Sequence, residues 1–222
     1  MKLNGFVTIG SAPQGTPFVE AYGLLLASVL LGSNGKPPSV VAVTAAQSDT
    51  GVSSIAINLA MMMARTGRPT ALVDANMRHP EMHKAFGLPA KPGLAEILSG
   101  KAEIKNAAAP TQIPHLSLVP SGDAGAPAQA LFNQTALTEL FGLLRARFDL
   151  VVIDTPPVLD YPDALHVAKC VDGVLLVVSP KDASRRDQQE ARRLLDRVEA
   201  RILGTVLNRV PPRERNPLAR VS

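Results

Sequence analysis

The sequence predicts an α/β fold: one domain on a mostly parallel central sheet, with helices on both faces in a three-layer sandwich. Three observations carry this. Apolar runs at residues 40–43, 150–153 and 173–178 are continuous rather than alternating, the pattern of strands buried on both faces. Helical segments separate these runs almost throughout, which implies parallel strands joined by crossover helices. Polar landmarks fall at the carboxyl ends of the strands, where open sheets of this kind place their ligands. They are the loop from Ala46 to Ser53, Asp74, Asp154 and Asn208.

Taken in order, residues 1–16 hold Gly5, Gly10, Pro13 and Gly15 and read as an extended, flexible arm. The domain is expected over 17–210. A helix over 18–31 is apolar on nearly every side, so it should be covered by the domain or by another subunit. The strand at Val40–Val43 leads through a small polar loop into a helix from about Ser53 to Arg65, closed at Gly67. A second strand, Thr70–Val73, ends at Asp74. Short helices follow near Glu81–Phe86 and over 92–99, then a strand at Leu116–Val119. One long amphipathic helix is expected from about Ala128 to Arg147. Beyond it come the strand ending at Asp154, a helix near 162–169, the strand 173–178, a helix over 183–200 and the strand 202–207 before Asn208. Residues 211–222, rich in Pro and Arg, read as a flexible basic tail.

The stretch from Pro38 to Leu59 organises the rest. Strand, tight loop and helix N-terminus together make a phosphate cradle, because free backbone N–H groups and the positive helix end point at the loop. Laid on the P-loop pattern G-x-x-x-x-G-K-[ST], the chain has Ala46, Gly51, Val52 and Ser53 at the four fixed positions. Two are kept. The lysine that would reach the phosphates is Val52, no residue from Ala45 to Asn58 is cationic, and Asp49 adds a negative charge.

Bulk composition excludes several classes. Of 222 residues, 46% are hydrophobic and 19% charged, as in a globule with a sizeable core. Cys170 is the only cysteine, so no intrachain disulfide forms and a reducing, cytoplasmic setting fits. The longest apolar stretch, near Leu24–Leu31, is too short to span a bilayer. The late arginines, Arg185 to Arg201, read as a solvated helix face, and no nucleic-acid partner is expected.

Several motifs in family order then carry a resemblance: Val19-Glu20-Ala21-Tyr22, Asn58-Leu59-Ala60, the run from Leu72 through Asp74, Asn76 and Arg78 to Pro80, Gly93-Leu94 with Ile97-Leu98-Ser99-Gly100, Val119-Pro120-Ser121-Gly122, Val151 to Pro157 with Asp163-Ala164, and Leu203-Gly204 with Leu207 to Val210. From Glu20 to Val210 the chain resembles the cytoplasmic kinase domain of bacterial tyrosine kinases that regulate capsule and exopolysaccharide synthesis. These sit in the P-loop group that includes the ParA and MinD partition ATPases. The resemblance implies ATP and Mg²⁺ as cofactors. It implies nucleotide contacts from Gly51, Val52, Ser53, Ser54 and Asn208, metal ligation by Ser53, Asp74 and Asp154, and catalytic roles for Asp74 and Asp154. The implied partner is a membrane protein controlling polymer chain length, a co-polymerase, which would hold the chain at the inner membrane.

Departures from the family pattern matter as much. Besides Val52, Asn76 stands where a second aspartate is usual, and an amide has no useful basicity. Glu20, Gly23 and Leu26 occupy the ring-assembly motif E-x-x-R-x-x-R without its arginines, so a family-type ring is not expected. The tail contains no tyrosine; Tyr22 and Tyr161 are the only two. These losses point to weak or lost nucleotide binding and a catalytically impaired regulator. Two alternatives stay open: an active kinase or ATPase drawing a cation from elsewhere, and a partition-type ATPase.

Overall fold

The computed structural model describes residues 3–31, 36–123, 125, 128–180 and 184–210. The expected α/β sandwich is what these residues form. Seven strands run in the order β3-β4-β2-β5-β1-β6-β7. They are β1 (Val40–Ala45), β2 (Thr70–Asp74), β3 (Ala109–Pro110), β4 (Leu116–Val119), β5 (Leu150–Asp154), β6 (Gly173–Val178) and β7 (Ile202–Leu207). Every neighbouring pair is parallel except β3 with β4. β1, β2 and β5 are buried at every position, which explains the apolar runs at their centres: each strand needs an apolar side chain on both faces.

Two apolar layers sandwich this sheet. On one face α1 (Pro17–Leu31) and α2 (Val52–Ala64) pack Val19, Leu26, Ile55 and Leu59 against Val41, Val43 and Val152. On the other, α4 (Leu94–Leu98), α7 (Gln134–Arg145), α8 (Asp163–Ala168) and α9 (Arg185–Arg197) bring Leu94, Phe141, Val167 and Leu195 against Val40, Val73 and Ile153. Short helices α3 (Met82–Phe86), α5 (Ile104–Ala107) and α6 (Ala128–Leu131) fill the connections.

Two expectations need correction. Residues 3–16 are not a loose arm. Leu3, Thr8 and Ile9 are buried, and the Asn58 amide of α2 serves the segment from both ends. Its Oδ1 accepts from the Ile9 N–H at 2.7 Å and its Nδ2 donates to the Val7 carbonyl at 3.0 Å. Arg65 donates to the Ile9 carbonyl at 2.9 Å. Glycine and proline there shape a packed path rather than free the chain. The long helix expected from Ala128 is two helices, because Asn133 stops one and caps the next, its side chain accepting from the Ala136 N–H. β3 and α5 leave no signal in the sequence, because both are too short for periodicity to reveal. The expected basic tail, 211–222, lies outside the described residues.

Candidate functional site

β1 delivers the chain to the polar loop, and α2 opens directly after it. Gly51, at the junction, has φ +89°, a region that costs any residue with a Cβ. A Cβ there would also run into the Asn208 amide. Asn208 follows the last strand. Its backbone N–H donates to the Val178 carbonyl and its Nδ2 donates to the Thr50 carbonyl, each at 2.8 Å. The last strand therefore latches the first loop.

Two of the loop's other polar side chains face carboxylates. Gln47 Nε2 donates to Asp187 at 3.1 Å and Ser48 Oγ to Asp160 at 3.3 Å. Asp49 itself lies in the left-handed region at φ +58°. Helix N-terminus and loop amides favour an anion; the side chains gathered around them do not.

Asp74 and Asp154 end adjacent strands and stand opposite one another in register. Each is almost wholly buried. Ser53, in the first turn of α2, donates its hydroxyl to Asp154 Oδ2 at 2.7 Å, while Asp154 Oδ1 is buried with no hydrogen-bond partner. Asp74 accepts the N–H groups of Asn76 at 3.2 Å and Met82 at 3.3 Å. Burial pushes the Asp74 carboxyl up to about 7, partly offset by those N–H bonds. Asp154 is raised well above the ordinary range, first by burial and then by the charge of Asp74, with the Ser53 hydrogen bond opposing. Two buried acids this close hold a proton unless a cation joins them.

The remaining candidates fall as follows. Val52 is the first residue of α2 and half-buried, packed against the α1–α2 layer. Ser54 sits in the same turn, its carbonyl accepting from Asn58 at 2.8 Å. Gly51, Val52, Ser53, Ser54, Asp74, Asp154 and Asn208 thus share one end of the sheet. Asn76 is committed to its turn, its Oδ1 accepting from the His79 N–H.

The spacing of residues gave no sign of one further pair. Arg78 bridges to the fully buried Asp163, Nε to Oδ2 at 3.0 Å, and lies over the Tyr161 ring at 4.9 Å. This ties the loop after β2 to the start of α8 and occupies the nearest arginine after Asp74. Asp163 was legible only as part of a motif; its partner is 85 residues away. Among the described residues no group of three or more His, Cys, Asp and Glu could hold a metal. No helix among them is long and apolar enough to cross a membrane.

Known proteins resemble this chain in sequence and fold. Residues 37–210 match the family model for ParA, described as NUBPL iron-transfer P-loop NTPase. Tyrosine-protein kinase CpsD of Streptococcus pneumoniae serotype 4 is 32% identical over 192 residues, 86% of this chain and 84% of that protein. The putative tyrosine-protein kinase CapB of Staphylococcus aureus is 28% identical over 76% of this chain and 74% of its own. Among solved structures, the chimerical protein CapA2B2 superposes with a TM-score of 0.85 at 28% identity, over 91% of this chain and 89% of that one. The septum site-determining protein MinD of Pyrococcus horikoshii, complexed with Mg-ADP, superposes at 0.67 and 21% identity over 80% of this chain and 76% of its own, a likeness of fold alone. This chain belongs to the CpsD- and CapB-like bacterial tyrosine kinase family, within the ParA-type P-loop NTPases.

Proposed function

We propose that this protein is a tyrosine-kinase-like regulator of capsular or exopolysaccharide synthesis or export, catalytically impaired, that works by binding a membrane co-polymerase protein. The observation that carries the impairment is Val52. It sits at the first position of α2, where an ammonium would meet the phosphates, and its half-buried isopropyl group packs on the core instead. Around it the loop is tied to Asp160 and Asp187. A charge-assisted contact of the lost kind is worth ~1.5–3 kcal/mol in binding, and more where charge gathers in a transition state.

The residues fit a divalent cation better than they fit a nucleotide. Ser53, Asp74 and Asp154 would hold Mg²⁺, and the buried, unpartnered Asp154 Oδ1 supports this. When bound, such an ion neutralises phosphate charge. Of this chain's own groups, the loop amides and the start of α2 would cradle phosphate, and Asn208 holds the loop in shape. Asn76 takes no proton from an incoming hydroxyl. Arg78 does not replace the lysine, because Asp163 holds it. Tyrosine autophosphorylation and a family-type ring are not expected. The protein would act in the cytoplasm, drawn to the inner membrane by its partner.

The intact Ser53–Asp154 geometry supports one second reading, an ATPase or kinase with a non-standard P-loop. Calorimetric titration with ATP and Mg²⁺ separates the two. The impaired regulator shows no low-micromolar binding, and such binding would transfer the weight to the active reading.

A further inference from the structure

The sheet has two edges, and they differ. β3 is two residues long and ends on Pro110, which has no N–H to offer; such an edge is blunted against further pairing. β7 is six residues long, contains neither proline nor lysine, and among the described residues pairs only with β6. Its phase is fixed by the Asn208 N–H bond to the Val178 carbonyl and the Leu207–Val178 register. Counting back from Asn208, Val206 and Gly204 turn their backbone groups toward β6, so Thr205 and Leu207 turn theirs outward. Both are exposed, Leu207 by 57%, one of few large apolar side chains so placed. Open donors, open acceptors and an apolar side chain make a strip onto which another strand can be added.

Charge decides what kind of strand. α9 covers the face on which Leu207 lies by alternation with Leu176 and Val178, through Ala191 and Leu195. It carries five arginines against three acids. Glu190 and Asp196 are matched with Arg193 and Arg192. Arg185, Arg186, Arg197 and Arg201 are exposed and have no carboxylate partner among the described residues.

We propose that the outer edge of β7 takes up an extended acidic segment of a partner protein as an added strand. The main chain of that segment bonds to Thr205 and Leu207, and its carboxylates face the arginines of α9 and Arg201. A second copy of this chain suits the edge less well. Two β7 strands paired about a twofold axis would set two basic α9 helices side by side on one face of the joined sheet. No side chain of the phosphate loop takes part, so the inference stands apart from whether nucleotide is bound.

The test uses the full chain and a fluorescent peptide alternating Glu and Val, read by anisotropy beside its Lys/Val counterpart. The acidic peptide should bind, weakening as salt rises, and about tenfold less well on the Arg185→Glu/Arg186→Glu variant. Thr205→Pro should abolish binding, since it removes an outward N–H without touching a bond to β6; its melting curve reports that it folds. Methylating alternate backbone nitrogens of the peptide should do the same with the protein unaltered. No binding, equal binding of both charge types, or full binding by the methylated peptide would overturn the proposal. So would a dimer in sedimentation that Thr205→Pro dissolves, which would give the edge to a second copy.

Discussion

Replacing Val52 by lysine tests whether the cradle is intact beneath its lost charge. The position opens α2, where four N–H groups and the helix dipole already favour an anion. An ammonium there adds a contact worth ~1.5–3 kcal/mol, or about ten- to a hundredfold in ATP affinity. The opposing cost is small. Val52 is only half-buried, and the methylene stem of lysine covers much of the same surface, so the loss should stay at ~1 kcal/mol or less. Calorimetry with ATP and Mg²⁺ compares the wild type, Val52→Lys and Val52→Met under one condition. Methionine supplies the length without the charge and should bring no gain. Adding Asn76→Asp to the lysine variant should then allow slow hydrolysis, measured as phosphate release. If Val52→Lys stays folded and its affinity does not move, the loop lacks phosphate-cradling geometry and the reasoning fails.

Four further outcomes are expected. Because the folded-state carboxyls of Asp74 and Asp154 are raised, the native state holds protons that the unfolded chain gives up. Stability should therefore be full below the ordinary carboxylate range and fall as pH rises toward about 7 and beyond; denaturant melts across pH should show the slope, and Asp74→Asn should reduce it, leaving the part that Asp154 carries through its own burial. Asn58→Ala leaves the buried Ile9 N–H without an acceptor and should cost ~2–3 kcal/mol, with limited proteolysis newly cutting between residues 3 and 16. Gly51→Ala forces a Cβ into the left-handed region and against Asn208; a loss of ~1–3 kcal/mol in thermal denaturation is the expected result. Incubated alone with ATP, the wild type should yield no phosphotyrosine, and light scattering should report no ring-sized oligomer.

Most of the sheet was legible because burial on both faces leaves a signature that does not depend on neighbours. β1, β5 and β6 are apolar runs in any context. Asp74 and Asp154 were legible because each ends a strand, and Ser53 because the P-loop pattern places it at the start of the helix after β1. What escaped was set by contacts between distant residues. The seating of residues 3–16 rests on Asn58, 49 positions from Ile9, and Gly and Pro in the segment read the same whether the path is packed or loose. The break before α7 depends on a single capping asparagine inside an otherwise continuous amphipathic pattern. In the sequence Asn208 reads as a candidate nucleotide contact at a strand end. Only its 2.8 Å bond to Thr50 gives it the task of holding the loop.

That bond, taken with the strand order, sets a timetable for synthesis. β1 lies between β5 and β6, so the first strand made emerges with neither neighbour beside it. Its partners, from Val151 and Gly173 onward, leave the ribosome much later, and closing contacts across so much chain is slow. The latch on Thr50 comes from a residue 158 positions downstream. The loop that follows β1 is thus completed only after β7 has been made. A chain stopped short of Asn208 could assemble the middle of its sheet and still have an unfinished loop, so competence at that loop reports that translation has passed Asn208.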